Sequence, residues 1–477
     1  MTLLSRDLST QPHRPEKIIQ FGEGNFLRAF VDWQIDLLNE QTDFNAGVTV
    51  VRPIDAGHPK LDTQGGVYTA LIRGINEAGQ PVSQPRIVTS VNREVLAYGE
   101  YDQVLRIAEN PALAWVVSNT TEAGIAYDAQ DTFNAHPPKT FPAKLTQFLF
   151  RRYQHFDGHP DKGLILLPCE LIDHNGEKLK EMVLKYARLW ELEGGFTDWI
   201  LTANTFCSTL VDRIVTGYPR DEIETLETTL GYQDKFLVAA EYYNLFVIQG
   251  PQWLNDKLKL EQCPLNIKIV DNIKPYKERK VGILNGAHTA MVPVAYLSGL
   301  DTVGQAMQDE EVAGFLNGLL NDEVIPSLSM AEDELQAFKE SVLDRFRNPY
   351  IKHYLISIAL NSLTKFKTRL LPQLITYAQN QGTAPKYLSF SLAALYCFYL
   401  GQRNGEDIPL NDDEHLLAHF NQWRATTGSH AQSVGDFLRL QQHWDVDLTQ
   451  LPNLEKLVSQ YVDTIQSIGM KEALKTL

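Results

Sequence analysis

Lys17–Phe21 (KIIQF) runs into Gly22-Glu23-Gly24, and Asn25–Asn39 then carries apolar side chains at Phe26, Phe30, Trp33, Ile35 and Leu38. A short apolar strand, a Gly-x-Gly turn and a helical pattern constrain the fold more tightly than anything else in the chain. Glycines let the backbone turn sharply and come close to a ligand. The helix start presents unpaired N–H groups, which suit a pyrophosphate. Leu27 stands where the usual dinucleotide fingerprint has its third glycine. A tight βα turn with no ligand is the competing reading of this segment.

The alternation continues downstream. Val48–Ile54 reads as a second strand and Val67–Arg73 as a third, partly exposed one. Ala114–Ser118 and Gly163–Pro168 read as buried strands. Lys144–Tyr153 and Glu177–Leu192 read as helices, the second ended by Gly194-Gly195. Strands alternating with helices imply a parallel sheet covered on both faces. After about residue 270 helical periodicity dominates, over 272–298, 302–319, 331–344, 350–362, 387–401 and 453–474. The expected fold is therefore α/β: a Rossmann-like doubly wound domain over 1–270, then a mainly α-helical domain over 271–477. A ligand site is expected in the cleft between them.

In such a domain the second strand should end in an acid that binds the adenosine ribose of NAD. Here it ends Val51-Arg52-Pro53-Ile54-Asp55. Asp55 is the candidate, although a residue or two late, and Arg52 can instead meet the 2′-phosphate of NADP. This spacing leaves the choice open.

Charge and cysteine content exclude several functions. The 477 residues carry a net charge of -16, which disfavours nucleic acid and anionic membranes as partners. An anionic small substrate would need a local cationic pocket against that background. No run of ~18 apolar residues is present, so no membrane span is expected. The start, MTLLSRDLSTQPHRPEK, lacks the apolar segment of a signal peptide. Cys169, Cys207, Cys263 and Cys397 form no CxxC pair, which fits a reducing cytoplasm without a structural metal. His415 and His419 have metal-pair spacing but lack the glutamate of HExxH, and read as a surface helix.

The second domain opens with Lys280-Val-Gly-Ile-Leu-Asn285-Gly-Ala-His288. At about 100° per residue an ideal α-helix would hold Lys280, Asn285 and His288 within an arc of roughly 140°. The three side chains suit three tasks on one alcohol or carbonyl. Lysine moves a proton, asparagine donates to an oxyanion, and histidine holds a hydroxyl. Polar residues on one helix face are also what a solvated surface looks like, so the motif needs support from elsewhere.

That support is a resemblance. The segments Gly22–Ala29, Val67-Tyr68-Thr69 with Arg73, Thr121-Glu122-Ala123-Gly124, Val211-Asp212-Arg213-Ile214 and Lys280…Asn285…His288 occur together and in order. The chain resembles the polyol-specific long-chain dehydrogenases, the family of mannitol dehydrogenase and the hexuronate reductases. The likeness leans to the branch that acts on sugar acids. It implies NAD-dependent hydride transfer at a secondary alcohol, with no metal and with a small sugar acid as substrate. It places the cofactor turn on Ile18, Ile19, Gln20, Phe21, Gly22, Glu23, Gly24, Asn25, Phe26, Leu27, Arg28 and Ala29, with Asp55. It makes Lys280 the acid/base, Asn285 the oxyanion donor and His288 a hydroxyl ligand. Asp212 and Lys365 become substrate contacts.

Departures from the mannitol-type pattern narrow the substrate. That pattern has Cys-Asp-Asn where this chain has Cys169-Glu170-Leu171, so one oxyanion asparagine is missing. Ser357 and Leu360 replace a substrate-contacting arginine and histidine, and Lys277 replaces a glutamate. These changes argue against a neutral polyol. The run Lys365-Phe-Lys367-Thr-Arg369 offers cations for a carboxylate, and Lys365 alone matches a family position. A sensor that binds nucleotide without redox chemistry would not need the acid/base lysine. An epimerase with tightly bound NAD is a further alternative.

Overall fold

The computed structural model describes residues 1–9, 11–54, 57–120, 124–403, 405–425 and 429–477. They form two compact units: Met1–Asn76 with Val82–Ile273, and Lys274–Leu477 with Glu77–Pro81.

The first unit is built on a parallel sheet of six strands. Their spatial order is Val91–Leu96, Gly47–Arg52, Glu16–Phe21, Trp115–Ser118, Ile165–Pro168, Thr205–Phe206. Numbered along the chain this is 3-2-1-4-5-6, the doubly wound order whose crevice opens beside the first strand. Successive residues of that first strand face opposite cores. Ile18 joins Val48, Val50, Trp115, Val117 and Phe30 on one side. Ile19 and Phe21 join Val51, Val116, Leu166 and Phe148 on the other. A strand buried on both faces is mostly apolar, and the buried polar side chain within it, Gln20, is hydrogen-bonded to Gly22 O and Asp32.

One strand assignment changes. Val67–Arg73 does form a strand, Tyr68–Ile75, but outside the parallel sheet. It lies in a separate sheet ordered Val215–Gly217, Val238–Glu241, Tyr68–Ile75, Pro81–Val88. It is also buried rather than partly exposed, because Ala70 and Ile72 enter one core while Leu71 enters another. The third parallel strand is Val91–Leu96, whose Asn92, Arg93 and Glu94 hide it from a hydrophobicity pattern. Those polar groups are satisfied on the sheet: Arg93 pairs with Glu16 at 2.7 Å and Glu94 with Arg52 at 2.5 Å.

The second unit is helical. Lys386–Tyr399, buried from Leu388 through Tyr399, packs against Gly286–Leu297 and Leu454–Ile468. Its start is capped by a side chain far away in sequence. Glu323 accepts from the Tyr387 and Leu388 amides at 2.8 and 2.7 Å, and burial pushes its carboxyl up to about 7. The helix expected over 350–362 is mostly absent. Tyr354 bridges to Thr302, only Leu355–Ile358 is helical, and Asn361 at φ 52° breaks the chain before Ser362–Arg369. Among the described residues no helix is long and apolar enough to cross a membrane.

Candidate active site

The glycine turn follows from close contacts between strands. Gly22 adopts φ 120°, and its N–H donates to the Val51 carbonyl at 3.0 Å. A Cβ there would stand 2.8 Å from the Asn119 carbonyl oxygen, so neither the dihedral nor the space admits a side chain. Gly24 is the N-cap of helix Asn25–Ala29 and has nothing within 4 Å of a virtual Cβ. The side chains of Ile18, Ile19, Phe21, Leu27 and Ala29 are core, and Phe26 packs against it. What the turn offers a ligand is therefore backbone around Gly24, since the Gly22 N–H is already given to Val51.

Polar side chains hold that backbone. Arg28 donates to Glu23 O at 3.1 Å, Asn25 Oδ1 at 2.6 Å and Phe236 O, so its three nitrogens serve the protein. Burial pushes the half-buried Glu23 carboxyl above its ordinary range. Gln20 donates from Nε2 to Gly22 O at 3.0 Å and to Asp32 at 3.3 Å. The Tyr68 hydroxyl bonds Arg28 O at 2.9 Å and Asp32 at 3.2 Å. Asp32 is fully enclosed, and burial pushes its carboxyl up to about 7 despite these donors and Arg28. The nearby Asp36 adds to that rise.

A raised carboxyl binds its proton more tightly in the folded state than in the unfolded one. Its stabilisation is present at low pH and is lost as pH rises toward about 7, by at most ~1.4 kcal/mol per pH unit. Asp32→Asn is expected to flatten this part of the melting-temperature profile. An unchanged slope in the variant would remove Asp32 as the source.

Arg52 is sealed. It pairs with Glu94 at 2.5 Å and donates to His58 O and Pro59 O at 2.8 and 2.9 Å, with 4% of the residue exposed. All three guanidinium nitrogens have partners, which leaves no edge for a 2′-phosphate. Asp55 and Thr121–Ala123 lie outside the described residues.

The Lys280 motif is not the regular α-helix expected over 272–298. Lys274–Arg279 is α-helical, Lys280–Asn285 is a π-helical turn, and Gly286–Leu297 resumes the α-helix. In a π turn hydrogen bonds span five residues rather than four, so side chains five apart come nearly above one another. Lys280 and Asn285 have this spacing. The turn therefore aligns them more closely than an ideal α-helix would. Arg279, just before it, is buried with its guanidinium 4.3 Å from the Phe338 ring centre. Gly286, just after it, gives space to Leu370, which a Cβ would meet at 2.9 Å.

Asn285 is half-buried, and its carboxamide bonds no described residue. Its carbonyl accepts from Thr289 Oγ1 at 2.9 Å. His288 is buried, and neither ring nitrogen is hydrogen-bonded within the described residues, with Nε2 wholly enclosed. Phe346 and His353 hold its ring at 4.2 and 5.1 Å between centres. Burial, then the charges of His353, Arg345, Arg369 and Lys365, keep its pKa well below the ordinary range, so the imidazole is neutral.

Lys365 lies on Ser362–Arg369 and donates from Nζ to Ile358 O at 2.8 Å. Burial and Arg369 push its pKa down. Arg345, on Glu332–Phe346, and His353 are members of this cluster that the sequence did not single out. They lie far along the chain in segments without a motif, so only their surroundings in the fold reveal them. Asp212 belongs to the first unit, buried at the end of Ser208–Asp212. Glu170 is also accounted for: it accepts from Ser118 Oγ at 3.0 Å, Thr120 N at 3.0 Å and Thr120 Oγ1 at 2.9 Å. Leu171 beside it is 63% exposed and has no side-chain donor.

Comparison with known proteins gives this geometry a context. The mannitol dehydrogenase Rossmann domain matches residues 16–262, and the mannitol dehydrogenase C-terminal domain matches residues 272–466. The chain belongs to the mannitol dehydrogenase family. Within the family it is 56% identical to an altronate oxidoreductase of Yersinia pestis bv. Antiqua (strain Nepal516) over 478 residues, 99% of each chain. It is likewise 56% identical over 481 residues to an altronate oxidoreductase of Escherichia coli O6:K15:H31, covering 100% of this chain and 99% of that one. Among solved structures of the same fold is a substrate-free D-sorbitol dehydrogenase, at TM-score 0.82 and 20% identity, covering 99% of this chain and 100% of that one. Another is Pseudomonas fluorescens mannitol 2-dehydrogenase with NAD and D-mannitol, at TM-score 0.68 and 20% identity, covering 100% of this chain and 99% of that one.

Proposed function

We propose that this protein catalyses the reversible, NAD-dependent reduction of D-tagaturonate to D-altronate, a cytoplasmic step of hexuronate catabolism. Positive charge gathered around His288 carries the sugar-acid reading over a neutral polyol. Arg345, Arg369 and Lys365 act on one buried side chain in a protein whose net charge is -16. The full-length likeness to altronate oxidoreductases supports the particular pair of substrates.

The open backbone at Gly24 fits a pyrophosphate, and the sealed Arg52 favours NAD over NADP. Asp55 completes this reading as the ribose ligand. NADH, when bound, supplies the hydride. Lys280 in its ammonium form donates a proton to the ketone oxygen as the carbonyl carbon is reduced. In the oxidation direction the amine removes the hydroxyl proton. Asn285 donates a hydrogen bond to the same oxygen while it carries negative charge. Neutral His288 binds a neighbouring hydroxyl, and Asp212 and Lys365 make further substrate contacts.

The test is to mix the protein with NADH and tagaturonate, fructuronate or fructose and follow absorbance of the reduced cofactor. Oxidation is expected with tagaturonate. Preference for fructuronate would move the assignment to the mannonate pair, and turnover of fructose alone would make the protein a polyol dehydrogenase.

A further inference from the structure

The cations near His288 are not equivalent. Lys365 already gives one donor to Ile358 O at 2.8 Å. Arg369 uses only Nη1, which reaches Thr289 Oγ1 at 3.2 Å and Asn285 O at 3.5 Å. Its Nε and Nη2 meet no partner among the described residues, and it forms no ion pair there with a carboxylate. An arginine tied down by one nitrogen, with its other edge open, is prepared for two parallel hydrogen bonds to a carboxylate. A second, separate observation lies one residue before Thr289, which Arg369 touches. His288 is 8% exposed, its Nε2 is enclosed and unpartnered, and Arg369 is among the charges acting on it.

Arg369 also touches the catalytic turn. Thr289 Oγ1 bonds Asn285 O at 2.9 Å, and Nη1 of Arg369 approaches both atoms. The guanidinium thus braces the carbonyl of the residue whose carboxamide would stabilise the oxyanion. Binding of an anion on the open edge of Arg369 would order this brace.

We propose that Arg369, rather than Lys365, receives the substrate carboxylate, and that the same guanidinium positions Asn285 through its carbonyl and Thr289. The proposal rests on the sugar-acid reading and names the group within that site which recognises the acid. Lys365, one turn away on the same helix Ser362–Arg369, adds positive charge beside it.

The experiment measures kcat, the KM for tagaturonate, the Kd for NADH and the melting temperature of the parent and of four variants. Arg369→Gln is expected to raise the KM for tagaturonate about 10- to 100-fold and also to lower kcat. The Kd for NADH and the melting temperature stay near the parent's. Arg369→Lys recovers part of the KM but not the kcat, because it restores charge without the planar brace. Thr289→Val lowers kcat and leaves the KM for tagaturonate unchanged. Lys365→Ala raises that KM less than Arg369→Gln does.

An active parent whose KM does not change in Arg369→Gln overturns the anchor alone. A larger KM effect from Lys365→Ala returns the carboxylate to Lys365. A melting temperature that falls together with NADH affinity in Arg369→Gln makes its role merely structural. A parent inert toward both uronates overturns the functional reading, and the anchor falls with it.

Discussion

Replacing Lys280 by alanine is expected to lower kcat by about 10³-fold while NADH affinity changes by less than about 2-fold. The split follows from where the groups lie. The glycine turn is built entirely within the first unit, from Gly22, Gly24 and the Arg28 brace. Lys280 begins the π turn of the second unit. On the proposed mechanism, removing it takes away the proton carrier and leaves the turn intact. Added methylamine is expected to recover part of the turnover, since a small amine can occupy the space and exchange the proton. Steady-state rates and a fluorescence titration of NADH check both halves. Turnover within about 10-fold of the parent would assign the acid/base role to another group.

Asn285→Ala is expected to reduce kcat by about 10²- to 10³-fold, equivalent to ~3–4 kcal/mol of transition-state stabilisation. The mannitol-type pattern supplies two asparagines to the oxyanion. By the resemblance Leu171 stands in the second place; it is 63% exposed and without a side-chain donor, and Glu170 beside it is tied to Ser118 and Thr120. The carboxamide of Asn285 makes no competing hydrogen bond with the described residues, so its loss exposes no buried partner. Its effect should therefore fall on kcat with little change in the KM for tagaturonate. Asn285→Asp is a sharper companion, because an acceptor carboxylate repels the developing alkoxide. A fall below about 5-fold for Asn285→Ala would identify a different oxyanion donor.

The glycine turn was legible in the sequence because its information is local. Ile18 on one face and Ile19 and Phe21 on the other are buried apolar side chains, Gly22 adopts φ 120°, and the helix pattern follows at once. Val91–Leu96 was not legible. Its Arg93 and Glu94 find partners on Glu16 and Arg52, and nothing in VNREVL announces them. Tyr68–Ile75 was legible as a strand but not in its sheet, because pairing with Val238–Glu241 joins distant parts of the chain.

By itself the sequence determined the strand–turn–helix opening, the change from α/β to α, and the spacing of Lys280, Asn285 and His288. Each depends on side-chain type and on periods a few residues long. The tertiary structure decided that Lys280–Asn285 is a π turn, that Arg52 is sealed, and that Arg345, His353 and Arg369 gather around His288. Arg369 meets Thr289 across 80 residues of chain. Contacts of that range are set by how helices pack, and no local pattern carries them.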